Sequence, residues 1–381
     1  MRIVGLDLGA NHIEFCELKD AQAHRQSVRR FAELKRLLGP GTEPAQVAFE
    51  ACREGWKVYD TLAEWGHEPI MLDTTRIKQI GVGHHRRKND AIDAEVIARA
   101  LESGRYPKAH VLSPARRELR GRLHVRAALV ESRAKFIIMI RGIARAAEVT
   151  VARCAPERIL QKLDEVELPR SLKEEISPLL EVLRTLQKQI DQKEAELIEL
   201  AQRDPTLRLL ATAPGVGLIV AATYASVIDD AHRFRNAQAV GSYLGLAPSE
   251  DTTGGPNKRR IGGISKHGNS MCRAMLVEAA WQILRLADKD DPLYSWAAHI
   301  KEKRSGKVAA VALARKLALV LYAMWRDDTV YDATKETLAR VRGTRREAQS
   351  TLQRAVALER AVSKFERRRK KDTSKTTEAT N

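Results

Sequence analysis

Short apolar runs and helical segments follow one another in a definite order through the N-terminal part of the chain. Three runs, predicted as strands with short polar connections, cover residues 2–8, 12–18 and 26–31. A helix over 32–38, a strand over 46–50, a helix over 51–65 and a strand over 69–73 follow, before a helix that begins near residue 89. Strands joined through helices are parallel neighbours, so this order predicts a mixed α/β sheet.

Three strands followed by strands that alternate with helices form the ribonuclease-H-like arrangement. In such a sheet, acidic residues at the ends of parallel strands face a common edge. Asp7 lies near the end of the first predicted strand and Glu50 at the end of the fourth. Asp7 could instead be a turn residue or part of the phosphate loop of a sugar kinase, and Glu50 a solvated strand end. No second phosphate loop follows, which weakens the kinase interpretation.

The helix near residue 89 places two carboxylates on one face. Ile92, Val96 and Leu101 recur at helical spacing, and Asp90 and Asp93 lie three residues apart. Such a pair is costly unless a cation neutralises it, and Mg²⁺ is bound through carboxylate oxygens. The alternative is structural, because capping and the helix dipole favour acids in a first turn.

Taken together, Asp7, Glu50, Asp90 and Asp93 are the candidate metal site. Four acids at one sheet edge would hold two divalent ions about 4 Å apart, an arrangement used for phosphoryl transfer on nucleic acids. The ion would be Mg²⁺ or Mn²⁺.

The charge of the chain indicates a polyanionic partner. The 381 residues carry a net charge of +17, with a pI near 9.8, which favours two or more domains and a nucleic acid partner. A basic cluster just before the Asp90 helix is a candidate nucleic-acid contact, and it consists of Arg86, Arg87 and Lys88. His84 and His85 beside it could be metal ligands, phosphate contacts or neither.

Membrane attachment would be another use of positive charge. The longest apolar stretch, residues 308–325, is interrupted by Arg315 and Lys316, so it predicts a buried amphipathic helix. The N-terminus enters a strand pattern directly, without a signal peptide, so we expect a cytoplasmic protein. The four cysteines are scattered, which predicts reduced structural thiols and no zinc site.

Long helical patterns cover residues 119–149 and 172–202. Apolar residues of the second recur at three-, four- or seven-residue intervals. This predicts a coiled-coil or helical-hairpin spacer, which either dimerises or pairs within the chain. The spacing leaves both open.

A second globular region begins near residue 206. Residues 209–225 resemble a helix-hairpin-helix, in which Gly215 and Gly217 form a tight turn whose free amides can meet a phosphate, although a plain helical hairpin would look the same. The Gly-rich loop at 249–260 places hydroxyls beside basic residues, which predicts a phosphate-binding surface and a candidate nucleophile. The basic residues are Lys258, Arg259, Arg260 and, in the next segment, Lys266.

Six short motifs together resemble the DEDD transposases of the one-hundred-and-ten family of insertion sequences. They are Gly5-Leu-Asp7, Phe49-Glu50-Ala51, Asn89-Asp90-Ala-Ile-Asp93-Ala94, Pro214-Gly-Val-Gly217, Gly245-Leu-Ala-Pro248 and Ile264-Ser-Lys-His-Gly-Asn269. The resemblance covers residues 1–332 approximately. It implies a nuclease domain similar to the Holliday-junction resolvase RuvC, then a coiled coil, then a mainly helical C-terminal transposase domain.

The resemblance also implies a mechanism. In the family the four acids bind Mg²⁺, a C-terminal serine attacks DNA to form a covalent intermediate, and a structured noncoding RNA guides recombination. The position of that serine is occupied here by Thr253, followed by Gly254. Threonine keeps the hydroxyl but adds a methyl group, so the activity would be slower, transferred to Thr252, or lost.

The predicted organisation has four parts: a RuvC-like domain at 1–110, a helical linker at 111–205, a transposase domain at 206–345 and a basic tail at 346–381. We expect the tail to add nonspecific nucleic-acid affinity. The predicted function is an RNA-guided DNA recombinase acting as a homo-oligomer, a dimer or tetramer. The alternatives are a metal-dependent junction endonuclease and an inactive nucleic-acid-binding relic.

Overall fold

Two units of the chain carry different architectures. The computed structural model describes residues 1–9, 11–20, 22–29, 31–79, 90–251, 260–333 and 356–363. The units are Met1–Val111 and Leu112–Asn381. The first is a mixed α/β unit, and the described part of the second is helical apart from one two-stranded hairpin. The finer four-part division stays a prediction.

A five-stranded sheet forms the centre of the first unit. Its elements are β1 (Arg2–Leu8), β2 (Ile13–Lys19), β3 (Gln22–Val28), α1 (Phe31–Leu38), β4 (Ala45–Glu50), α2 (Gly55–Glu64), β5 (Glu68–Leu72), α3 (Thr74–Gln79) and α4 (Asp90–Glu102). The strand order is β3-β2-β1-β4-β5. β1 pairs with β2 and β2 with β3 in antiparallel fashion, whereas β1 pairs with β4 and β4 with β5 in parallel. The predicted mixed sheet is therefore confirmed.

Both faces of this sheet are covered, as its parallel strands require. On one face, Val47 and Phe49 belong to a buried cluster that includes residues of α1 and α2. On the other face, Ala48 packs with Ile97 and Leu101 of α4. Since side chains alternate along a strand, neighbouring residues of β4 serve opposite layers.

The predicted third strand was wrong in position. The structure places β3 at Gln22–Val28, and Phe31 begins α1. Lys19 pairs with Gln22 across a tight turn in which Asp20 has a φ of 48°. β3 is an edge strand with mostly exposed side chains, so it lacks the apolar alternation that identifies a half-buried strand.

The spacer is a helical hairpin formed within the chain. α5 (Pro114–Ala146) packs against α7 (Arg170–Arg203), and a short helix, α6 (Ile159–Asp164), lies between them in sequence. The buried residues of α7 include a strict seven-residue series, consisting of Ile176, Leu183, Ile190 and Leu197. Leu183 clusters with Ile137 and Ile140 of α5. The structure has the intramolecular pair, and dimerisation through this hairpin stays a prediction.

Ion pairs join the two helices of this hairpin. Arg126 pairs with Glu194, and Arg122 with Glu196 at 3.5 Å. Arg133 is buried and donates to Gln187 on α7 at 2.6 Å. Two arginines of α5 are therefore neutralised by acids of α7, and a third is held by a neutral amide.

The rest of the second unit surrounds one apolar helix. Its elements are α8 (Pro205–Leu210), α9 (Leu218–Ile228), α10 (Ala237–Tyr243), β6 (Pro248–Asp251), β7 (Arg260–Ile264), α11 (Ser270–Leu286), α12 (Pro292–Lys303) and α13 (Gly306–Arg326). α13 is long and apolar enough to cross a membrane, yet 67% of its most apolar window is buried in the protein. The prediction of a buried helix here is confirmed.

Candidate active site

Asp7 and Glu50 lie side by side at one edge of the sheet. β1 and β4 are parallel, and the last pair in their register is Leu6 with Phe49. Asp7 and Glu50 are the next residues along each strand. Asp7 is two residues beyond Gly5 and Glu50 is two beyond Ala48, so both acids lie on the sheet face that packs against α4.

Helix α4 lies directly on β1, because Gly5 has no side chain. A Cβ atom at Gly5 would be 2.2 Å from the carbonyl oxygen of Ala94 and 2.6 Å from the amide nitrogen of Ala98. Farther along α4, Leu101 belongs to the cluster against which Ile3, near the start of β1, packs. α4 therefore runs in the direction opposite to β1, and its first turn lies toward the end of β1 that carries Asp7.

Two predicted acids belong to that first turn. Asp93 directly precedes Ala94 and is half-buried. Asp90 is the first residue of α4, and its side chain lies outside the described residues, as do His84 to Lys88, including Arg86 and Arg87. Among described side chains, no group of three or more His, Cys, Asp or Glu is close enough to hold a metal ion. The side chains of Asp7, Glu50 and Asp93 are described and do not form such a group, although the strand register and the direction of α4 place their backbone positions toward one edge of the sheet. Carboxylate oxygens are the ligands that a hard divalent cation prefers.

An ion-pair network fixes the first half of α4 to the sheet, and the sequence analysis missed it. Glu95 pairs with Arg25 on β3 and, at 2.7 Å, with Arg99 one turn along α4. Hydrogen bonding to Arg25, then to Arg99, lowers the pKa of the Glu95 carboxyl. The four-residue spacing of Glu95 and Arg99 is visible in the sequence. The participation of Arg25 depends on the position of β3, which was predicted incorrectly.

The four cysteines are free thiols. Burial raises the pKa of Cys272 to about 12. Cys52 follows Glu50 by two residues, and partial burial of its sulfur raises its pKa, with smaller contributions from the negative charges of Glu54 and then Asp7. Cys52 is exposed beside the acidic edge, which the sequence analysis did not single out.

The hairpin of the second unit carries the predicted nucleophile loop. β6 and β7 are antiparallel, and the Ser249 hydroxyl donates to the Gly263 carbonyl at 2.9 Å. Thr253, Lys258 and Arg259 lie in the connecting loop, outside the described residues, and so does the side chain of Arg260.

Backbone hydrogen bonds and the close approach of Gly245 to His267 fix the base of this hairpin. The amide of Lys266 donates to the Gly245 carbonyl at 3.0 Å, and that of Ser265 to Ala247 at 2.8 Å. Gly245 has a φ of 69°, and a Cβ there would be 2.8 Å from the backbone of His267. Lys266 is itself left-handed, with a φ of 59°, and its side chain is exposed. The loop at 252–259 therefore starts from a fixed base.

Comparisons with known proteins bear on both units. Residues 4–146 match the IS110 DEDD model, described as a transposase, and residues 207–295 match the model described as Transposase IS116/IS110/IS902 family. Together the two models span more than half of the chain. The chain belongs to the IS110 family of insertion-sequence transposases. It is therefore a transposase, an enzyme that binds DNA, and membership of the DEDD class implies dependence on a divalent metal.

Individual transposases align over most of their length. A probable family 20 transposase of Pseudomonas aeruginosa is 29% identical over 295 residues, which are 76% of this chain and 86% of the relative. The transposase for IS1111A of Coxiella burnetii is 26% identical, over 87% of this chain and 91% of the relative. The transposase for IS1328 of Yersinia enterocolitica is 28% identical, over 86% of this chain and 98% of the relative.

Within the C-terminal part of the transposase, Gly215 and Gly217 have different surroundings. A Cβ at Gly215 would be 2.5 Å from the carbonyl oxygen of Ala279 on α11, and its φ is 69°. Gly215 is therefore required for close packing. Gly217 precedes the first residue of α9, and a Cβ there would meet nothing within 4 Å. The predicted contact of both glycines with nucleic acid stays a prediction, and Gly217 has the space for it.

Proposed function

We propose that this transposase cleaves and exchanges DNA strands with a divalent-metal site formed by Asp7, Glu50, Asp90 and Asp93. The observation that carries the proposal is the parallel register of β1 and β4, which sets Asp7 beside Glu50 on the face covered by α4. The strand order supports assignment of the first unit to the ribonuclease-H-like, RuvC-like class.

Each acid would contribute carboxylate oxygens from a rigid element. Asp7 and Glu50 come from adjacent strands, and Asp90 and Asp93 from the first turn of a helix held by Gly5 and by the Arg25–Glu95 pair. A bound Mg²⁺ or Mn²⁺ would polarise the scissile phosphate and stabilise its developing negative charge.

We also assign the attacking hydroxyl to Thr253. Its oxygen would form a new ester to phosphorus while the deoxyribose oxygen leaves with a proton, so one phosphodiester replaces another and strand exchange needs no energy source. The exposed Lys266 at the hairpin base, together with Lys258, Arg259 and Arg260, would hold phosphates near this hydroxyl.

The guide would be a structured noncoding RNA. The net charge of +17 supports a large nucleic-acid contact area, and the family resemblance of the sequence motifs suggests the RNA. In this proposal, base pairing selects the target while the protein holds backbones. The helix-hairpin-helix-like segment at α8 and α9, the basic cluster at Arg86 to Lys88 and the basic tail would add phosphate contacts. We further propose that the protein is cytoplasmic and acts as a dimer or tetramer.

Substitution of single acids tests the metal site. Asp7→Asn, Glu50→Gln and Asp90→Asn should each abolish cleavage of target DNA in Mg²⁺ and leave DNA binding largely intact, because each removes a ligand charge. Glu68→Gln is the matched control, since Glu68 begins β5 at the opposite edge of the same sheet and pairs with Gln46. Full cleavage by the Asp7 and Glu50 variants would exclude the site.

A second candidate function follows from the threonine at position 253. If Thr253 does not attack, the four acids alone would act as a metal-dependent junction endonuclease with water as the nucleophile. A covalent protein–DNA adduct, detected by mass spectrometry, separates the recombinase from the endonuclease. Sequencing the nucleic acid that copurifies with the transposase tests the RNA guide.

A further inference from the structure

A compact basic corner joins α12 to α13, the last two helices of the second unit. Within residues 301–307, four basic side chains stand against a single acid, Glu302. The four, all exposed, are Lys301, Lys303, Arg304 and Lys307. The family models match residues 4–146 and 207–295, so this corner lies outside both.

The charges of this corner are not neutralised by other groups in the described part of the protein. None of its four basic side chains makes a hydrogen bond or ion pair with any part of the chain that the structure describes. The arginines of α5 differ, because Arg122 and Arg126 pair with acids of α7. The helix dipole favours Lys301 and Lys303 in the last turn of α12, but it disfavours Lys307 in the first turn of α13, and the like charges repel one another. Helix stability therefore does not account for the whole cluster.

The corner is held rigidly. The Ser305 hydroxyl accepts a hydrogen bond from the amide of Val308 at 3.3 Å and caps α13. A Cβ at Gly306 would be 3.2 Å from the ring of Trp281, so the first turn of α13 packs closely on α11. The opposite face of α13 is buried, including Ala309 and Leu313. The backbone that carries these charges is therefore ordered before a ligand binds.

The exposed face of α12 extends the corner toward one further cation, Lys316 of α13. Trp296, His299 and Lys303 are exposed and lie on one face of α12 at three- and four-residue spacing. The Lys316 ammonium of α13 lies 4.0 Å from the centre of the Trp296 ring, which brings the outer faces of both helices together. Lys307 and Lys316 lie on opposite sides of α13, because nine residues make about two and a half helical turns, so the surface continues from the corner along α12 and not along α13.

We propose that this α12–α13 corner is a docking surface for the sugar-phosphate backbone of duplex DNA. DNA is the polyanion that a transposase must hold, and a rigid convex turn bearing closely spaced cations matches the regular phosphates of a duplex. The contact is independent of sequence, because the side chains are lysine and arginine on a helical corner and not an element inserted into a groove.

The test compares two triple variants with the same change in net charge. The corner variant is Lys303→Gln, Arg304→Gln and Lys307→Gln. The control variant is Lys135→Gln, Arg170→Gln and Arg203→Gln, in which each lost cation is exposed and paired with a nearby glutamate. Binding of the full-length protein to labelled random-sequence duplex DNA is measured by fluorescence anisotropy across a potassium chloride series, in EDTA.

Each lost phosphate contact should reduce the slope of log affinity against log salt by about 0.9. The corner variant should therefore lose about 2.7 from the slope and bind at least tenfold more weakly at low salt, while the control keeps the wild-type slope. A second variant, Lys303→Arg with Lys307→Arg, keeps the charge and should keep the slope. Thermal unfolding of all variants shows that they fold.

Three outcomes would overturn the assignment. One is an unchanged slope for the corner variant, and another is an equal loss for corner and control. The third is weaker binding to structured RNA with duplex DNA binding unaffected, which would assign the corner to RNA. Because EDTA excludes metal chemistry, these results do not depend on the four-acid site.

Discussion

Replacing Gly5 with alanine should disable the transposase without removing any acid. The added Cβ would lie 2.2 Å from the Ala94 carbonyl oxygen, whereas a carbon–oxygen contact needs about 3.3 Å. Helix α4 must then withdraw by about 1.1 Å, and it carries Asp90 and Asp93 with it.

A displacement of that size matters more for chemistry than for folding. Metal–ligand distances hold to about 0.2 Å, and a misplacement of about 1 Å costs roughly a hundredfold in rate. Overpacking typically costs about 1–3 kcal/mol of stability. Gly5→Ala should therefore lower DNA cleavage in Mg²⁺ by about two orders of magnitude, with a moderate fall in melting temperature and retained DNA binding.

Two comparisons make the test specific. Gly121→Ala, at an open position inside α5, should be neutral or stabilising by up to about 1 kcal/mol. The double variant Gly5→Ala with Ala98→Gly should stay inactive, because the tightest contact is with the Ala94 backbone and not with the Ala98 methyl group. Wild-type cleavage and melting temperature in Gly5→Ala would refute the placement of α4 on β1.

Three further predictions concern other parts of the chain. Hydrogen bonding to Arg25 lowers the pKa of Glu95 in the folded protein, so the ion pair stabilises the fold above the ordinary carboxyl pKa and ceases to do so as the pH falls through the lowered pKa. Glu95→Gln should therefore lower the melting temperature at neutral pH and not at acid pH. A difference in melting temperature that does not depend on pH would argue against the ion pair. Thr253→Ser should retain or raise strand exchange, Thr253→Ala should lose the covalent adduct, and Thr252→Ala should have a milder effect on both. Mass spectrometry of the trapped protein–DNA adduct locates the linkage, and a linkage at another residue would refute the assignment. Deletion of residues 364–381, which hold seven Lys/Arg and three acids, should weaken binding to all DNA sequences about equally and reduce its salt dependence; an unchanged slope would mean that the tail makes no contact.

The sequence predicted elements best where a strand is half-buried or a helix is amphipathic. β1, β2, β4 and β5 were each identified within one or two residues, because their apolar runs are bounded by turns. β3 was displaced because an exposed edge strand carries no such pattern. α3, over Thr74–Gln79, was not predicted, because a segment of six mostly polar residues is too short to show the apolar periodicity of a helix.

Site residues could be predicted from the sequence where they follow strand ends. They could not be predicted where a close contact between two backbone segments determines which residue is needed. Asp7 and Glu50 could be placed at one edge from strand order alone. The need for glycine at position 5 became visible only from the approach of Ala94 to β1. The close contact of Gly245 with His267 likewise joins two segments that are separated in sequence, and the periodicity of a sequence cannot predict such a contact.

The parallel pairing of β1 with β4 also has a consequence for how much of the chain must be present before DNA can be cleaved. Residues 7, 50 and 90–93 come from three separate segments, and α1 must cross over before β4 can join β1. A nascent chain, or a fragment that ends before α4, brings at most half of the proposed acids together. If the four acids form the metal site, fragments that end before α4 should lack metal-dependent DNA cleavage, because they contain only two of the four acids.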